Sequence, residues 1–238
     1  MRITIRHHFD FGADRAVVGD DLVRPQAWDA LRTRTSGAFA ISRDRAELER
    51  TADERPEIGE RARQIDAWLE ERGVQTLASY GVGGAVLELW LERLRPERQL
   101  RLTDYAPATV ERLRELLPSA EVTRHNLVVD PPLEADMHLF HRIDTELANR
   151  EWRQVLDRFG ALPILVVAAE VADFSHVLAE IGVRFRRRAV SRAGWLRTQG
   201  ALESLWRRNH VATPIHFHDL QAWWLEPRRP RASPSASA

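Results

Sequence analysis

Three residues of this 238-residue chain have the types and the spacing of a nucleotide site: Gly81, Gly83 and Asp104. The glycines separate the strand-like stretch VQTLASY from the helical pattern AVLELWLERL, and such a turn brings backbone N–H groups close to a ligand. Asp104 ends the next strand-like stretch, 21 positions after Gly83, where a carboxylate accepts hydrogen bonds from both ribose hydroxyls. The pair predicts a ribose-containing ligand. The structural alternatives are glycines that only turn the chain and an Asp104 that only caps the helix near Pro107.

Residue types that are missing narrow the choice of nucleotide. The chain contains no lysine, so a phosphate loop with its glycine-lysine pair is excluded. A dinucleotide fingerprint requires a third glycine at position 86, where Val86 stands, and this disfavours a nicotinamide-dependent oxidoreductase. An adenosyl ligand without phosphates is the nucleotide that remains.

Three segments around these residues resemble motifs of the class I S-adenosylmethionine-dependent methyltransferases, and the resemblance spans residues 74 to about 226. LASYGVGGA is similar to the family's first motif, whose glycine turn lies beside the methionine part of the cofactor. RLTDYAPATVERL resembles the second, in which the strand-end acid holds the ribose and the next residue flanks the adenine. VTRHNLVV resembles the third, in which a polar residue reads the adenine amine. The resemblance implies S-adenosylmethionine as the cofactor, bound by Ser79, Tyr80, Gly81, Gly83, Asp104, Tyr105 and Asn126.

The first motif departs from the family pattern at two positions. The family usually carries an acidic residue just before the glycines, where this chain has Ser79, and its last small position is Ala85 instead of glycine. The cofactor's amino group would then be held weakly, or by a residue elsewhere in the chain. The leading hypothesis is methyl transfer to an oxygen or nitrogen atom of a small-molecule acceptor. The departures motivate a second hypothesis, a non-catalytic S-adenosylmethionine-binding or scaffold protein on the same fold.

Methyl transfer from a sulfonium requires a nucleophile about 3 to 3.5 Å from the methyl carbon and, where needed, a base. His141, at the end of the fourth strand-like stretch, is the predicted base because neutral imidazole has a pKa near the working pH. Asp144 is expected to orient it or to bind an amine; a structural histidine and a helix cap are the alternatives. In the family, the substrate lies above strands one, four and five, under N-terminal helices. The substrate-binding residues expected there are Trp28, Arg142, Glu170, Arg192, Trp195 and Arg197.

Two further groups of residues invite a chemical interpretation. Imidazole is the commonest metal ligand, and five histidines lie near the chain ends: His7, His8, His210, His216 and His218. No carboxylate at helical ligand spacing accompanies them, and a solvated edge strand explains their alternation, so no metal site is predicted. The arginines at 186 to 188 and 192 suit an anion or a nucleic acid backbone, but a solvated face is the simpler interpretation.

The elements that must position these residues follow an α/β pattern from Val74 onward. Strand-like and helical stretches alternate as far as LPILVVAAE, which is typical of a parallel sheet with helices on both faces. The last two strand-like stretches, ATPIHFH and QAWWLEP, are too close in sequence for a helical crossover and should pair antiparallel at a sheet edge. The predicted fold is a Rossmann-like, doubly wound, mostly parallel sheet of about seven strands with an antiparallel edge strand.

The flanking regions are expected to differ from this core. Residues 1–70 are predicted to form an N-terminal arm and a helical lid, and residues 71–227 the Rossmann-like core. The arginine-rich stretch FRRRAVSRAGWLRT is expected to be a connection. The tail at 228–238 has nothing to bury and is predicted to be disordered.

The composition restricts the partners. The chain has 35 basic and 35 acidic residues, and a net charge of zero disfavours nucleic acid and an anionic membrane surface. The absence of cysteine excludes disulfides, thiol nucleophiles and cysteine zinc sites. The N-terminus lacks a secretory signal and no stretch approaches the roughly 20 apolar residues of a membrane span, so a cytoplasmic location is expected. A small molecule is the predicted partner, and a homodimer is left open.

Overall fold

A computed structural model of the chain describes residues 1–9, 25–34, 39–186 and 191–228. The helices of these ranges are α1 (Pro25–Arg32), α2 (Arg45–Asp53), α3 (Pro56–Glu70), α4 (Val86–Leu94), α5 (Pro107–Leu116), α6 (Asn149–Arg158), α7 (Phe174–Arg186) and α8 (Gln199–Trp206). The strands are β1 (Thr4–Phe9), β2 (Thr76–Tyr80), β3 (Gln99–Asp104), β4 (Glu121–Arg124), β5 (Met137–His141), β6 (Ile164–Val167), β7 (Ser191–Arg197), β8 (His210–Phe217) and β9 (Leu220–Pro227). The segment predicted to be a disordered tail lies outside the described residues, apart from Arg228.

Seven strands form one sheet in the order β4-β3-β2-β5-β6-β9-β8. The five strands from β4 to β6 pair in parallel, whereas β9 runs antiparallel to both of its neighbours. The predicted mostly parallel, doubly wound sheet with an antiparallel edge is thereby confirmed, with β9 second from the edge and β8 outermost. The chain reverses its direction across the sheet between β2 and β5, and crevices at such switch points are where ligands bind in open α/β sheets.

Each face of the sheet carries its own apolar layer, because successive side chains of a strand point to opposite faces. Leu139 of β5 belongs to the cluster that packs against α2 to α5, and the next residue, Phe140, belongs to the cluster that packs against α6 and α8. All four residues of β6 are buried, as expected for a central strand covered on both sides. The two layers fix the strands, so that their carboxyl ends meet along one edge.

A second, two-stranded sheet joins the N-terminal segment to a strand that follows α7. In the segment expected to be an N-terminal arm, β1 pairs antiparallel with β7, with Ile5 opposite Leu196. The prediction that residues 185–198 form a connection was wrong for Ser191–Arg197, which is strand β7. The partner of β7 lies almost 190 positions earlier in the sequence, and strand formation depends on such partners more than on local composition.

Candidate functional site

The backbone conformation of the turn after β2 favours glycine at positions 81 and 83. Gly81 and Gly83 have φ values of +67° and +58°, in the left-handed region that favours glycine. A Cβ atom on Gly81 would lie 2.8 Å from Cγ2 of Ile143, in the loop after β5. The turn therefore needs glycine at 81 for its backbone conformation and for the close approach of the neighbouring loop.

Asp104 faces this turn from the tip of β3. Its Oδ2 accepts a hydrogen bond from the backbone N–H of Gly83 at 3.1 Å, and its Oδ1 accepts one from the N–H of Ala106 at 2.9 Å. Burial raises the pKa of Asp104, while these N–H donors and the charge of Arg32 act in the opposite direction. The backbone N–H of Tyr105 also acts on this carboxylate. A carboxylate has about four acceptor positions, so Asp104 retains capacity for a ligand.

A cavity of about 1050 Å³ opens beside this pair at the carboxyl edge of the sheet. This volume lies at the upper end of the range of roughly 300 to 1,000 Å³ that is typical of small-molecule and cofactor sites. Among the predicted site residues, the cavity wall contains Trp28, Gly81, Asp104, Tyr105, Asn126, His141 and Arg142. The structure thus gathers residues from the glycine turn, from three strand ends and from α1 around one space.

Two predicted cofactor-binding residues lie beneath this space. Tyr80 is buried among apolar side chains; its hydroxyl accepts a bond from the N–H of Leu133 and lies 3.1 Å from Nδ1 of His138. Burial raises the pKa of Tyr80 to about 12. Ser79 points to the opposite face, where its hydroxyl donates to Oε1 of Glu88 at 2.8 Å. Neither side chain forms part of the cavity wall, because both belong to the packed layers on the two faces of β2.

Asp144 is buried and lies outside the cavity wall. Its Oδ1 accepts a hydrogen bond from the N–H of Ala169 at 2.6 Å, and burial raises the pKa of its carboxyl to about 6. Helix α6 begins five residues later, at Asn149, and no hydrogen bond to His141 is found among the described residues. Asp144 therefore links the loop after β5 to the loop after β6.

The other predicted substrate-binding residues also lie outside the cavity wall. Arg197 is buried, donating to the backbone carbonyls of Asp144 and Leu147. The remaining three predicted residues lie elsewhere in the structure. Trp195 stacks under the guanidinium of Arg6 at 3.9 Å, Arg192 is exposed on β7, and Glu170 lies 3.3 Å from Nε2 of His176. Strand β7 packs behind the loop after β5, because the N–H of Trp195 donates to the carbonyl of Thr145, which does line the cavity.

His141 lies in the cavity wall, in an environment different from the expected one. Burial, together with the charges of Arg61 and Arg142, lowers the pKa of His141 to about 3. Its Nε2 atom is buried and has no hydrogen-bond partner among the described residues. The imidazole is therefore neutral near pH 7 and available as a hydrogen-bond acceptor, but its basicity is well below that of an ordinary histidine.

Two cavity residues were missed by the sequence analysis. Glu146 follows β5 and interacts with Trp28 through a side-chain hydrogen bond; burial raises the pKa of Glu146 to about 7. Arg32 of α1 stands over Gly83 and donates to the carbonyl of Phe39 at 3.0 Å, and its charge acts on both Asp104 and Glu146. An acid after the fourth strand was a readable signal for Glu146, whereas nothing in the sequence places Arg32 near the glycine turn.

The histidines at the chain ends do not converge on a metal site. His7 and His8 both contact the carboxylate of Glu180, at 2.7 and 3.3 Å. Nε2 of His210 lies 3.3 Å from the carbonyl oxygen of Leu162. Within the described ranges, no group of three or more histidine, aspartate or glutamate side chains is arranged to hold a metal ion. No helix of these ranges has the length and apolar character of a membrane span.

The similarity of this chain to known proteins lies in its three-dimensional structure. No protein-family model matches the sequence, and no curated protein matches it. Human N-acetylserotonin methyltransferase in complex with S-adenosylmethionine superposes with a TM-score of 0.58 at 15% identity, over 90% of this chain and 65% of that chain. A structure described as PigF with SAH gives 0.61 at 13% identity, over 91% and 66%. A Nostoc punctiforme protein whose O-methyltransferase activity is inferred superposes with a TM-score of 0.56 at 11% identity, over 89% of this chain and 69% of that chain.

These superpositions confirm the fold of the class I methyltransferases that the three motifs led us to expect. The chain spans slightly less than two thirds of the length of the first two structures. At such low identity the likeness concerns the arrangement of helices and strands, and function has to be argued from the site itself.

Proposed function

We propose that this chain, which has the fold of class I methyltransferases, binds S-adenosylmethionine and transfers its methyl group to an oxygen or nitrogen atom of a small molecule. The observation that carries the proposal is the direct contact between Gly83 and Asp104 beside the large cavity. It joins a backbone turn that can approach a ligand closely to a carboxylate that can hold a ribose, at the switch point of the sheet.

The residues present fit an adenosyl ligand. Asp104 retains acceptor capacity for a ribose hydroxyl, and Gly81 leaves the floor of the turn free of a side chain. Tyr105 and Asn126 continue the cavity wall on the side of β3 and β4, where the resemblance assigns them to the adenine. The descriptions of two superposed structures, with S-adenosylmethionine and with SAH, support the same ligand.

The chain's own residues can serve the acceptor in three ways. The cofactor supplies an already activated methyl group, so the protein has to position the nucleophile and remove its proton. Glu146 is the better base, because its pKa of about 7 lies close to the working pH, whereas His141, with a pKa of about 3, is suited to accept a hydrogen bond. Trp28 contributes an apolar wall from α1.

Other features support a small molecule as the acceptor. The balanced net charge disfavours nucleic acid, and α1 packs near Tyr105 and Ala106 at the cavity, in agreement with the proposed lid within residues 1–70. A cytoplasmic location and a homodimer are further parts of this proposal. The name of the Nostoc punctiforme relative supports an oxygen nucleophile.

Calorimetric titration with S-adenosylmethionine and S-adenosylhomocysteine, followed by mass spectrometry of methylated products from a panel of phenols, carboxylic acids and amines, tests the proposal. We expect binding of both ligands and turnover of at least one class of acceptor. Binding without turnover would favour the non-catalytic alternative, which the departures at Ser79 and Ala85 motivate. No binding at millimolar concentrations would overturn both.

A further inference from the structure

A buried acid lies directly beneath the glycine turn. Glu88, in the first turn of α4, is only 2% exposed, and it forms part of the cavity wall together with Gly81, Gly84 and Ala85. Its Oε1 atom accepts a hydrogen bond of 2.8 Å from the hydroxyl of Ser79. Ser79 is the residue that stands where the first motif usually has an acid. A carboxylate from the next helix thus lies within hydrogen-bond distance of the position where the family carries its acid.

Within the described ranges, Glu88 has no cation to balance its charge. Among the described residues, its polar contacts are the hydroxyl of Ser79 and its own backbone N–H, and no arginine or histidine forms an ion pair with it. Burial of a carboxylate without a counter-charge is costly, and the group responds by holding its proton more tightly. Burial accordingly raises the pKa of Glu88 to about 7. A positively charged ligand group in the cavity would supply the missing partner.

The two acids flank the glycine turn on different sides. Asp104 is bonded to the backbone of Gly83, and Glu88 lies one helical turn after Ala85, the N-cap residue of α4. A ligand whose ribose hydroxyls reach Asp104 and whose chain passes over the glycines would bring its other end toward Glu88. In an adenosyl ligand with a methionine chain, that end carries an ammonium group.

We propose that Glu88 binds the ammonium group of the cofactor's methionine moiety, in place of the acid that the first motif lacks, with Ser79 orienting its carboxylate. This inference rests on the proposed function. It assigns a charged contact to a residue that neither the motif nor the spacing of the sequence singled out. It also accounts for the serine before the glycines, because a hydroxyl donor suits a carboxylate that a second acid at position 79 would repel.

Calorimetry on the full chain with two ligands tests this assignment. S-adenosylhomocysteine carries the ammonium group, whereas 5′-methylthioadenosine has the same adenosine and a neutral thioether but lacks the amino acid part. We expect Glu88→Gln to weaken S-adenosylhomocysteine about tenfold or more, since it removes a charged contact, and to leave 5′-methylthioadenosine within about twofold. The double variant Ser79→Asp with Glu88→Gln, which returns the acid to the strand, should recover most of the lost affinity.

A proton measurement on the unmodified protein provides a second readout. Glu88 must be ionised to bind an ammonium group, so at pH 7 binding of S-adenosylhomocysteine should release a fraction of a proton, seen as a dependence of the binding enthalpy on the buffer. Glu88→Gln should reduce this release, and Glu88→Asp serves as the alternative if the first variant does not fold.

Three results would overturn the assignment. They are unchanged S-adenosylhomocysteine affinity in a folded Glu88→Gln variant, an equal loss for both ligands, and proton release that the variant leaves unaltered. Failure of the unmodified protein to bind either ligand would instead overturn the proposed function, and the assignment of Glu88 with it. Binding of both ligands by the unmodified protein with no effect of Glu88→Gln would overturn the assignment alone.

Discussion

The backbone N–H of Gly83 donates a hydrogen bond of 3.1 Å to Oδ2 of Asp104, across the tips of two adjacent parallel strands. The contact holds the glycine turn against β3 and keeps the Asp104 side chain directed at the crevice. Ala106 fixes the other carboxylate oxygen from the beginning of the next loop. The position of the carboxylate is thus set by the backbone before any ligand arrives, and such pre-organisation lowers the entropic cost of binding.

Replacing Asp104 by asparagine should weaken S-adenosylhomocysteine by about ten- to a hundredfold, because a hydrogen bond to a charged acceptor contributes roughly 1.5 to 3 kcal/mol. Titration calorimetry measures this directly. Asp53→Asn, at an exposed position at the end of α2, is the matched control and should bind as the unmodified protein does. Equal affinities in the two variants would remove Asp104 from the site.

The glycine turn allows a comparison of two alanine variants. Gly81→Ala places a Cβ 2.8 Å from Ile143 at a φ of +67°, and strain of this kind costs about 1 to 3 kcal/mol. Gly84→Ala meets nothing within 4 Å and should leave the free energy of unfolding unchanged. Urea denaturation of the two variants should show this difference; equal stabilities would mean that the turn tolerates a side chain at 81.

The sequence was sufficient to predict the features that depend on residues close together in the chain. The alternation of strands and helices and the separation of the glycines from Asp104 are local patterns, and both are present in the structure. Strand periodicity also implies that Ser79 and Tyr80 point to opposite faces of β2. It does not reveal that both side chains have partners within the packed layers, and these layers keep Ser79 and Tyr80 outside the cavity wall.

The remaining features depend on distant parts of the chain. The pairing of β1 with β7 places Trp195 against Arg6, and the packing of α1 brings Arg32 over Gly83. Neither event has a local signature. Glu88 did have one, an acid within the apolar run VLELWL, but a charge on a helix is usually explained by a solvated face.

The buried imidazole of His138 predicts that the folded protein loses stability in acid. His138 is fully buried, its Nδ1 lies 3.1 Å from the hydroxyl of Tyr80, and burial lowers its pKa to about 4. The unfolded chain binds a proton at His138 from about pH 6.5 downward, while the folded chain does so only near pH 4. Stability must therefore fall as the pH decreases through this window.

The variant His138→Asn, which retains an acceptor for Tyr80, removes this contribution. Between pH 7.5 and pH 5, the unmodified protein should lose about 2 kcal/mol of unfolding free energy more than the variant does, as measured by urea denaturation. His216→Asn, at an exposed position on β8, should follow the unmodified protein. Parallel pH profiles for His138→Asn and the unmodified protein would contradict the assignment of the proton uptake to His138.

The two candidate groups for proton removal make opposite predictions for the pH dependence of methyl transfer. Because burial raises the pKa of Glu146 to about 7, kcat/KM should rise with pH through that value as the carboxylate ionises, and Glu146→Gln should abolish the inflection. The pKa of His141 is lowered to about 3, so its titration should leave the profile above pH 5 unaffected.

His141→Ala should lower turnover at least about tenfold through loss of a hydrogen-bond acceptor, with S-adenosylhomocysteine binding intact and the inflection near pH 7 retained. An inflection that persists in Glu146→Gln but disappears in His141→Ala would reverse the two roles and make the histidine the base.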